Sequence, residues 1–306
     1  MNLYSDEEWI VHLDEETLVT DESIKGILNF INDDKHSVGQ GMITYASEPP
    51  QFKSIWSTVQ NRICTVADSF RVTEDLGKIR GQFQLLHKPI FGMKGSYVVT
   101  KVGAEKRVSF DNGLNGSIAE DAYFAIKAMD MGFTFDFIEG EMREKSPFSF
   151  SDFIKQRKRW MQGIYLVAFD SKLSINSRFW LALSIIAWIT IPFATSNVFL
   201  GKIYPMKLWW IVDFSINFTG GMALYLYAFG FVKQHNIRRF SFLRLLFVIP
   251  ELILASIVSI ICEHIAVMTM WFGNWYEFYI VQKETEETDH QEKEKEAIKM
   301  NGINNV

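Results

Sequence analysis

The sequence predicts an α/β domain followed by transmembrane α-helices, on three observations. From Glu7 to about Ile79, alternating apolar runs and runs with helical spacing succeed one another, as they do in α/β sheets. Up to about Ser151 charged and apolar residues mix as in globular domains, whereas from Phe179 to Phe272 charges are sparse and aliphatic and aromatic residues dominate. The last stretch, KETEETDHQEKEKEAIKMNGINNV, returns to charge and reads as a solvated tail. The chain therefore divides into a cytosolic domain over 1–177, a membrane region over 178–282 and a tail over 283–306.

EEWIVHLDEET opens with an alternating apolar run and ends in acids, which suits a strand that delivers Asp14, Glu15 and Glu16 at its carboxyl end. In an extended segment residues i and i+2 point the same way, so Asp14 and Glu16 can share one cation while Glu15 faces elsewhere. Hard oxygen ligands of this kind suit Mg²⁺ or Mn²⁺ bound to a phosphorylated substrate, although acids at a strand end are also commonly just solvated. DESIKGILNFIND has helical spacing, with Ile24, Ile27, Leu28 and Ile31 on one stripe and Asp21 or Ser23 as its cap. VGQGMITYA is a second strand, and a long helix runs from Phe52 towards Ile79. FQLLHKPIFGMKGSYVVT then reads as short strands and turns.

NGLNGSIAEDAYFAIKAMDMGF is a flexible loop that opens a helix at Glu120 and Asp121. Two readings stand side by side. The acids complement the helix dipole, with Ser117 and Glu120 forming a capping box; or a carboxylate is held at the rim of a cleft to take a proton from a hydroxyl. QRKRWMQGIYLVAF also has two readings. Cations and a tryptophan before an apolar segment orient and anchor it at a membrane interface. On a helix, however, Gln156, Arg159 and Trp160 share one face, with Arg157 and Lys158 pointing away. That face offers an amide, a guanidinium able to grip diphosphate and an aromatic plate for a sugar ring.

Phe179 to Leu200, Leu208 to Val232 and Leu245 to Phe272 are each long enough to cross a hydrocarbon core, which takes roughly 20 helical residues. The third is interrupted by Pro250 and carries Glu251, Glu263 and His264, so it reads as one tilted helix or as a span followed by an interfacial segment. The ionisable pair Glu263 and His264 is a functional candidate, or lies near an interface if the span breaks. Lys233, Arg238, Arg239 and Arg244 between the second and third segments place that loop, and the α/β domain with it, on the cytosolic side. No cleavable signal is read before the domain. A 48% hydrophobic content is high for a purely soluble enzyme, and a formal net charge of -5 offers no basic surface for nucleic acid. Cys64 and Cys262 fall in a soluble helix and an apolar span, a pattern that supports neither a disulfide framework nor a zinc site.

An acidic strand end, then Glu-Asp at a helix start, then Q-x-x-R-W before membrane helices resembles, in that order, the processive-type inverting family 2 glycosyltransferases with a nucleotide-sugar GT-A fold. HLDEET, GQFQLLHKPIFGMKGSYVV, FDNGLNGSIAEDAYFAIKAMDMGF and SDFIKQRKRWMQGIYLV together look like the β-1,4-mannosyltransferases of invertebrate glycosphingolipid synthesis, over most of Glu8 to Gln282. The resemblance implies a partial GT-A nucleotide-diphospho-sugar transferase domain. It implies that Asp14 and Glu16 reach the donor diphosphate through a divalent metal, that Asp121 is the general base supported by Glu120, and that Gln156, Arg159 and Trp160 close the site. Gln156 and Arg159 would meet the donor, Arg159 at its diphosphate, and Trp160 the acceptor, with His87 and the Gly92 to Ser96 turn near an acceptor channel. His87 reads equally as a packed or surface histidine.

The donor implied is GDP-mannose and the acceptor glucosylceramide, in a multi-pass protein of the endoplasmic reticulum or Golgi membrane. Family members place two or more strands before the metal-binding acids, one bearing an aspartate that contacts the nucleotide base. About a dozen residues precede Asp14 here, so the sequence predicts a C-terminal portion with no base-binding residue to assign and an uncovered sheet edge. Other readings remain open: a catalytically incompetent membrane scaffold, or another family 2 activity such as a ceramide glucosyltransferase or a polysaccharide synthase.

Overall fold

The structure, a computed structural model, describes residues 4–45, 54–113, 118–235, 242–276 and 279. A four-stranded mixed sheet has the order β1-β3-β2-β4, with β1 at Trp9–His12, β2 at Val38–Tyr45, β3 at Val98–Lys101 and β4 at Phe135–Glu144. β3 is antiparallel to both β1 and β2, and β2 is parallel to β4, so β1, β2 and β4 all point the same way. Their carboxyl ends and the approach to β3 therefore meet at one end of the sheet.

Residues alternate between the two faces as a strand requires. Val38, Val98, Phe135 and Phe137 pack on Phe83 of α3 (Arg80–Leu86) and on Phe124 and Ala125 of α5 (Glu120–Asp130). Ile43, Tyr97, Val99 and Ile138 pack on Phe30 of α1 (Asp21–Asp33) and Val72 of α2 (Ile55–Glu74). β2 and β4 slip register between Gly41 and Met42, where Glu139 and Gly140 are extra on β4. Gly140 takes φ +95°, and a Cβ there would meet the Glu22 carbonyl oxygen at 2.4 Å, so only glycine fits the bulge. Beyond it pairing resumes and carries Glu144 to the sheet end.

The helix expected from Asp21 forms, but its cap is Thr20, in a capping box with Ser23, rather than Asp21 or Ser23. The helical path from Ile55 extends past Ile79 to Leu86, through α2, a π-helical stretch at Asp75–Ile79 and α3. α4 (Val102–Val108) follows β3 directly. The described cap of α5 is Ala119, with no side-chain cap bond, so Glu120 occupies the first helical position instead of closing a capping box. Ser117 itself, like Arg238, Arg239 and the tail over 283–306, lies outside the described residues.

α6 (Phe150–Ala168), capped by Ser149, leads into α7 (Ile175–Ile203), α8 (Trp210–His235) and α9 (Phe242–Thr269). α7 and the Leu246–Thr269 part of α9 are long and apolar enough to cross a membrane. α9 is one continuous helix through Pro250, which agrees with the first of the two readings of this segment, a single helix, and not with a span that breaks. α8 is comparably long but carries Asp213, Asn217 and several glycines and tyrosines, which lower its hydropathy. Its glycines do packing work. A Cβ on Gly230 would meet the Ser69 carbonyl oxygen of α2 at 2.0 Å, and one on Gly220 the Ala194 carbonyl oxygen of α7 at 2.3 Å.

α5 joins the two halves. Phe124, Ala125 and Ala128 face the sheet, while Ala122, Tyr123 and Ile126 pack with Met161 of α6 and with Leu181 and Ile185 of α7. Its first turn, Glu120 and Asp121, is thereby fixed at the junction between sheet and bundle. Cys64 and Cys262 are brought into one small apolar cluster with Ala67 and Phe153, both as free thiols.

Candidate active site

At the carboxyl end of the sheet lies a cavity of about 540 Å³, lined by α2, α5, α6 and α7 as well as by the strand ends. Asp14, Glu15 and Glu16 all line it. They do so from a turn closed by Thr17 N–H donating to the Asp14 carbonyl at 3.0 Å, not from an extended strand end. The alternation expected to send Glu15 away does not apply there. The turn is pinned to the β3 approach: the Asp14 amide donates to Ser96 Oγ at 3.1 Å, and Thr17 Oγ1 lies 2.9 Å from the same oxygen.

Glu120 and Asp121 line the cavity from the helix start, and Gly95 sits against Asp121, with a Cβ built there 3.6 Å from Oδ2. Asp121 Oδ1 accepts from the Ala122 amide at 2.7 Å. Burial, reinforced by the negative charges of Glu120 and Asp14, pushes the Asp121 carboxyl up to about 7 against the pull of that amide and of Arg159. The pressure on Arg159 is the reverse: burial draws its guanidinium down, while Glu120, Asp121 and Asp14 hold it charged. One cation and three carboxylates thus act on one another across the cavity.

α6 contributes Gln156, Arg157, Arg159 and Trp160. Gln156 is 5% exposed, and its Oε1 has no hydrogen-bond partner among the described residues. Arg159 Nη1 donates to the Tyr279 carbonyl oxygen at 3.0 Å. Arg157, expected to point away, is instead buried: its Nη2 donates to Asp68 of α2 and its Nε lies 3.3 Å from Glu263 of α9. Lys158 does turn outward, donating to the Phe272 carbonyl at 2.8 Å. The Trp160 ring is covered by cations, Arg71 at 4.3 Å and Arg157 at 4.5 Å from its centroid, so the expected plate for a sugar ring already carries two cation–π contacts. Glu263 also accepts from Trp188 Nε1 at 3.1 Å, and His264 Nδ1 from its own helix bonds the Ile260 carbonyl at 2.8 Å.

His87 is not brought to this cavity. It ends α3 in the left-handed conformation at φ +52°, with Nδ1 3.2 Å from the Phe135 carbonyl oxygen and its ring stacked on His36. The neighbouring turn does arrive, since Met93, Lys94, Gly95 and Ser96 line the cavity. Several lining residues carry no sequence signal: Arg71, Glu74 and Lys78 come from α2 and the π-helical stretch, and Glu144 from the end of β4. Lys94 pairs with Asp75, which is fully buried; burial draws the lysine down and the aspartic acid up, opposed by their mutual attraction.

Among the described residues no group of three or more His, Cys, Asp or Glu side chains is arranged to hold a metal ion by itself. Two of the turn carboxylates at a cavity open to substrate suit a magnesium-like cation, which is held by one or two carboxylates together with phosphate oxygens and water. The cavity can therefore accept a diphosphate with its cation on the acidic side, keep a basic carboxylate a short way off, and present an apolar helix on its far wall.

The profile of glycosyl transferase family group 2 matches residues 9–279. The β-1,4-mannosyltransferase egh of Drosophila melanogaster is 46% identical over 284 residues, covering 93% of this chain and 60% of the fly protein. The β-1,4-mannosyltransferase bre-3 of Caenorhabditis elegans is 48% identical over 285 residues, covering 93% of this chain and 61% of its own length, and bre-3 of Caenorhabditis briggsae gives the same identity and coverage. The chain spans about 60% of the length of the curated relatives it matches.

Proposed function

Because the chain belongs to glycosyl transferase family group 2, we propose that it carries the donor-diphosphate, acceptor and catalytic-base residues of a membrane-bound inverting glycosyltransferase. The transferase moves mannose from GDP-mannose to glucosylceramide in β-1,4 linkage. One observation carries the reading: Asp14, Glu16, Glu120, Asp121, Gln156 and Arg159, distant in sequence, line a single cavity that continues onto the apolar face of α7. The activity for which the fly and nematode relatives are named supports mannose as the sugar.

In this reading Asp121 accepts the proton of an acceptor hydroxyl as that oxygen attacks the anomeric carbon. The new C–O bond forms as the bond from that carbon to the diphosphate oxygen breaks, so an α-linked donor gives a β-linked product. Glu120 raises the proton affinity of Asp121, and Gln156 offers its amide oxygen to a sugar hydroxyl. Arg159 approaches the diphosphate as its charge develops, which aids the transition state more than the ground state. Asp14 and Glu16 would hold a Mg²⁺ or Mn²⁺ ion, which when bound supplies further charge neutralisation at the leaving group. Arg159→Ala is expected to lower kcat/KM by about 10²–10³-fold, in the range of a lost electrostatic stabiliser, with the melting temperature little changed. An unchanged kcat/KM would return the Q-x-x-R-W segment to membrane anchoring.

In this reading α8 spans the membrane together with α7 and α9. The 26 residues of α8 reach about 39 Å at 1.5 Å per residue, against roughly 30 Å of hydrocarbon. Exposed Trp210, Phe214, Phe218 and Tyr225 on α8, and Phe247, Ile253 and Ile257 on α9, form apolar surface suited to lipid. The basic residues after α8 favour a cytosolic catalytic face in the endoplasmic reticulum or Golgi membrane. The reading is tested by labelled-mannose transfer from GDP-mannose to glucosylceramide, with galactosylceramide as the contrasting acceptor.

A further inference from the structure

We propose that the part of the cavity bounded by α7 holds a hydrocarbon chain of the acceptor, which reaches the carboxylates sideways through a gap at Ser184, Ala187 and Ile191. The inference rests on the transferase reading above and names how its lipid acceptor is seated. Leu181, Ser184, Ile185, Ala187, Trp188 and Ile191 all line the cavity, and their spacing puts them along one side of the helix. Leu181 and Ile185 are buried to 1% exposure and form the inner wall. Ser184 and Ile191 are half-buried, and Ala187 is exposed while still lining the cavity, so at this point the cavity comes to the surface.

That surface is apolar. No charged residue lies between Phe179 and Gly201, and Leu183 beside the gap is exposed, as are Ile186 and Phe193 further round the helix. The small side chains of Ser184 and Ala187 leave the gap open where larger ones would close it. Trp188 is held back from it by the bond from Nε1 to Glu263 Oε2 at 3.1 Å. At the inner end, the buried and unpartnered Gln156 Oε1 asks for a donor, which a sugar hydroxyl supplies and a hydrocarbon does not. A molecule with a hydroxylated head at Gln156 and Asp121 and an alkyl chain along α7 matches both ends. From Leu181 to Ile191 the helix rises by about 15 Å, the scale of a long alkyl chain.

The test measures mannose transfer to glucosylceramide and to methyl β-glucoside, using the wild-type protein and the variants Ala187→Val, Ala187→Trp and Ile186→Trp in membranes. Filling the gap is expected to raise KM for glucosylceramide by tenfold or more in Ala187→Trp and by less in Ala187→Val. KM for GDP-mannose and transfer to methyl β-glucoside stay as in wild type, and Ile186→Trp, which faces away from the gap on the same helix, behaves as wild type throughout. A photoactivatable acyl chain on glucosylceramide should label the segment around Ala187, an arm that needs no variant. Equal KM values across the series with no labelling of α7 would overturn the inference while leaving the transferase reading intact. A wild-type protein that transfers mannose to no glucosylated acceptor would overturn that reading and this inference together.

Discussion

Asp121→Asn is expected to abolish transfer, lowering kcat by about 10³-fold, while leaving GDP-mannose binding in place. The expectation follows from position and environment together. Asp121 stands at the first turn of α5 with Gly95 against it, and its carboxyl is pushed up to about 7 by burial and by Glu120, close to the pH at which a general base works best. The asparagine keeps the shape and loses the proton acceptor. A pH profile separates this role from mere packing. The ionised form is the active one, so kcat/KM of the wild-type protein should fall about tenfold per pH unit below about pH 7 and level off above it. Stability should move the other way. A carboxyl whose folded-state value is raised is destabilising once ionised, so the gain in melting temperature of Asp121→Asn should be negligible at about pH 4, grow towards pH 7 and stay flat above. Normal turnover in the variant would remove Asp121 from the role of base.

Arg157→Met should destabilise the fold by about 3–5 kcal/mol, read as an early melting transition in detergent. Arg157 sits 5% exposed between Asp68, which is 1% exposed, and Glu263, which is 12% exposed, and so ties α6 to both α2 and α9. Removing the cation leaves two buried carboxylates facing each other without a counter-charge. Replacing all three groups together, as Asp68→Asn, Arg157→Met and Glu263→Gln, should recover much of the loss, because uncharged groups need no partner ion. Arg157 is one residue from Gln156 and two from Arg159, so activity in the single variant should decline with the folded fraction, without a new pH dependence. A single variant that melts with the wild-type protein would show that the buried ion pair contributes nothing to holding α6.

The local part of this architecture was legible because it depends on period and punctuation. β1, α1, β2 and the long helix from α2 follow from alternation and helical stripes, although the cap of α1 is Thr20 and not Asp21 or Ser23, and the apolar helices follow from length and composition alone. The candidate carboxylates and the Q-x-x-R-W face were legible as residue types at defined spacing. What the sequence did not show is what packs against the other side. Helical spacing correctly grouped Gln156, Arg159 and Trp160, yet placed Arg157 in solvent, because spacing cannot reveal that α2 and α9 enclose α6. The same limit hid Arg71, Glu74 and Lys78, which read as an ordinary polar helix face until β2 and α6 close over them. Asp14 to Glu16 were misassigned to an extended backbone because the turn that holds them is fixed by Ser96, which is 82 residues from Asp14 in sequence. His87 shares a Gly/Pro-rich segment with the turn that reaches the cavity, but its left-handed cap turns it towards His36.

The role of Asp121 as base in the sheet-end cavity is tested most directly by transfer of labelled mannose from GDP-mannose to glucosylceramide, by membranes expressing the protein, side by side for wild type and Asp121→Asn. A β-linked mannosyl product is expected from the wild-type protein and none from the variant, with equal binding of GDP-mannose by both. Equal product from both, or product only from a different donor and acceptor class, would contradict it.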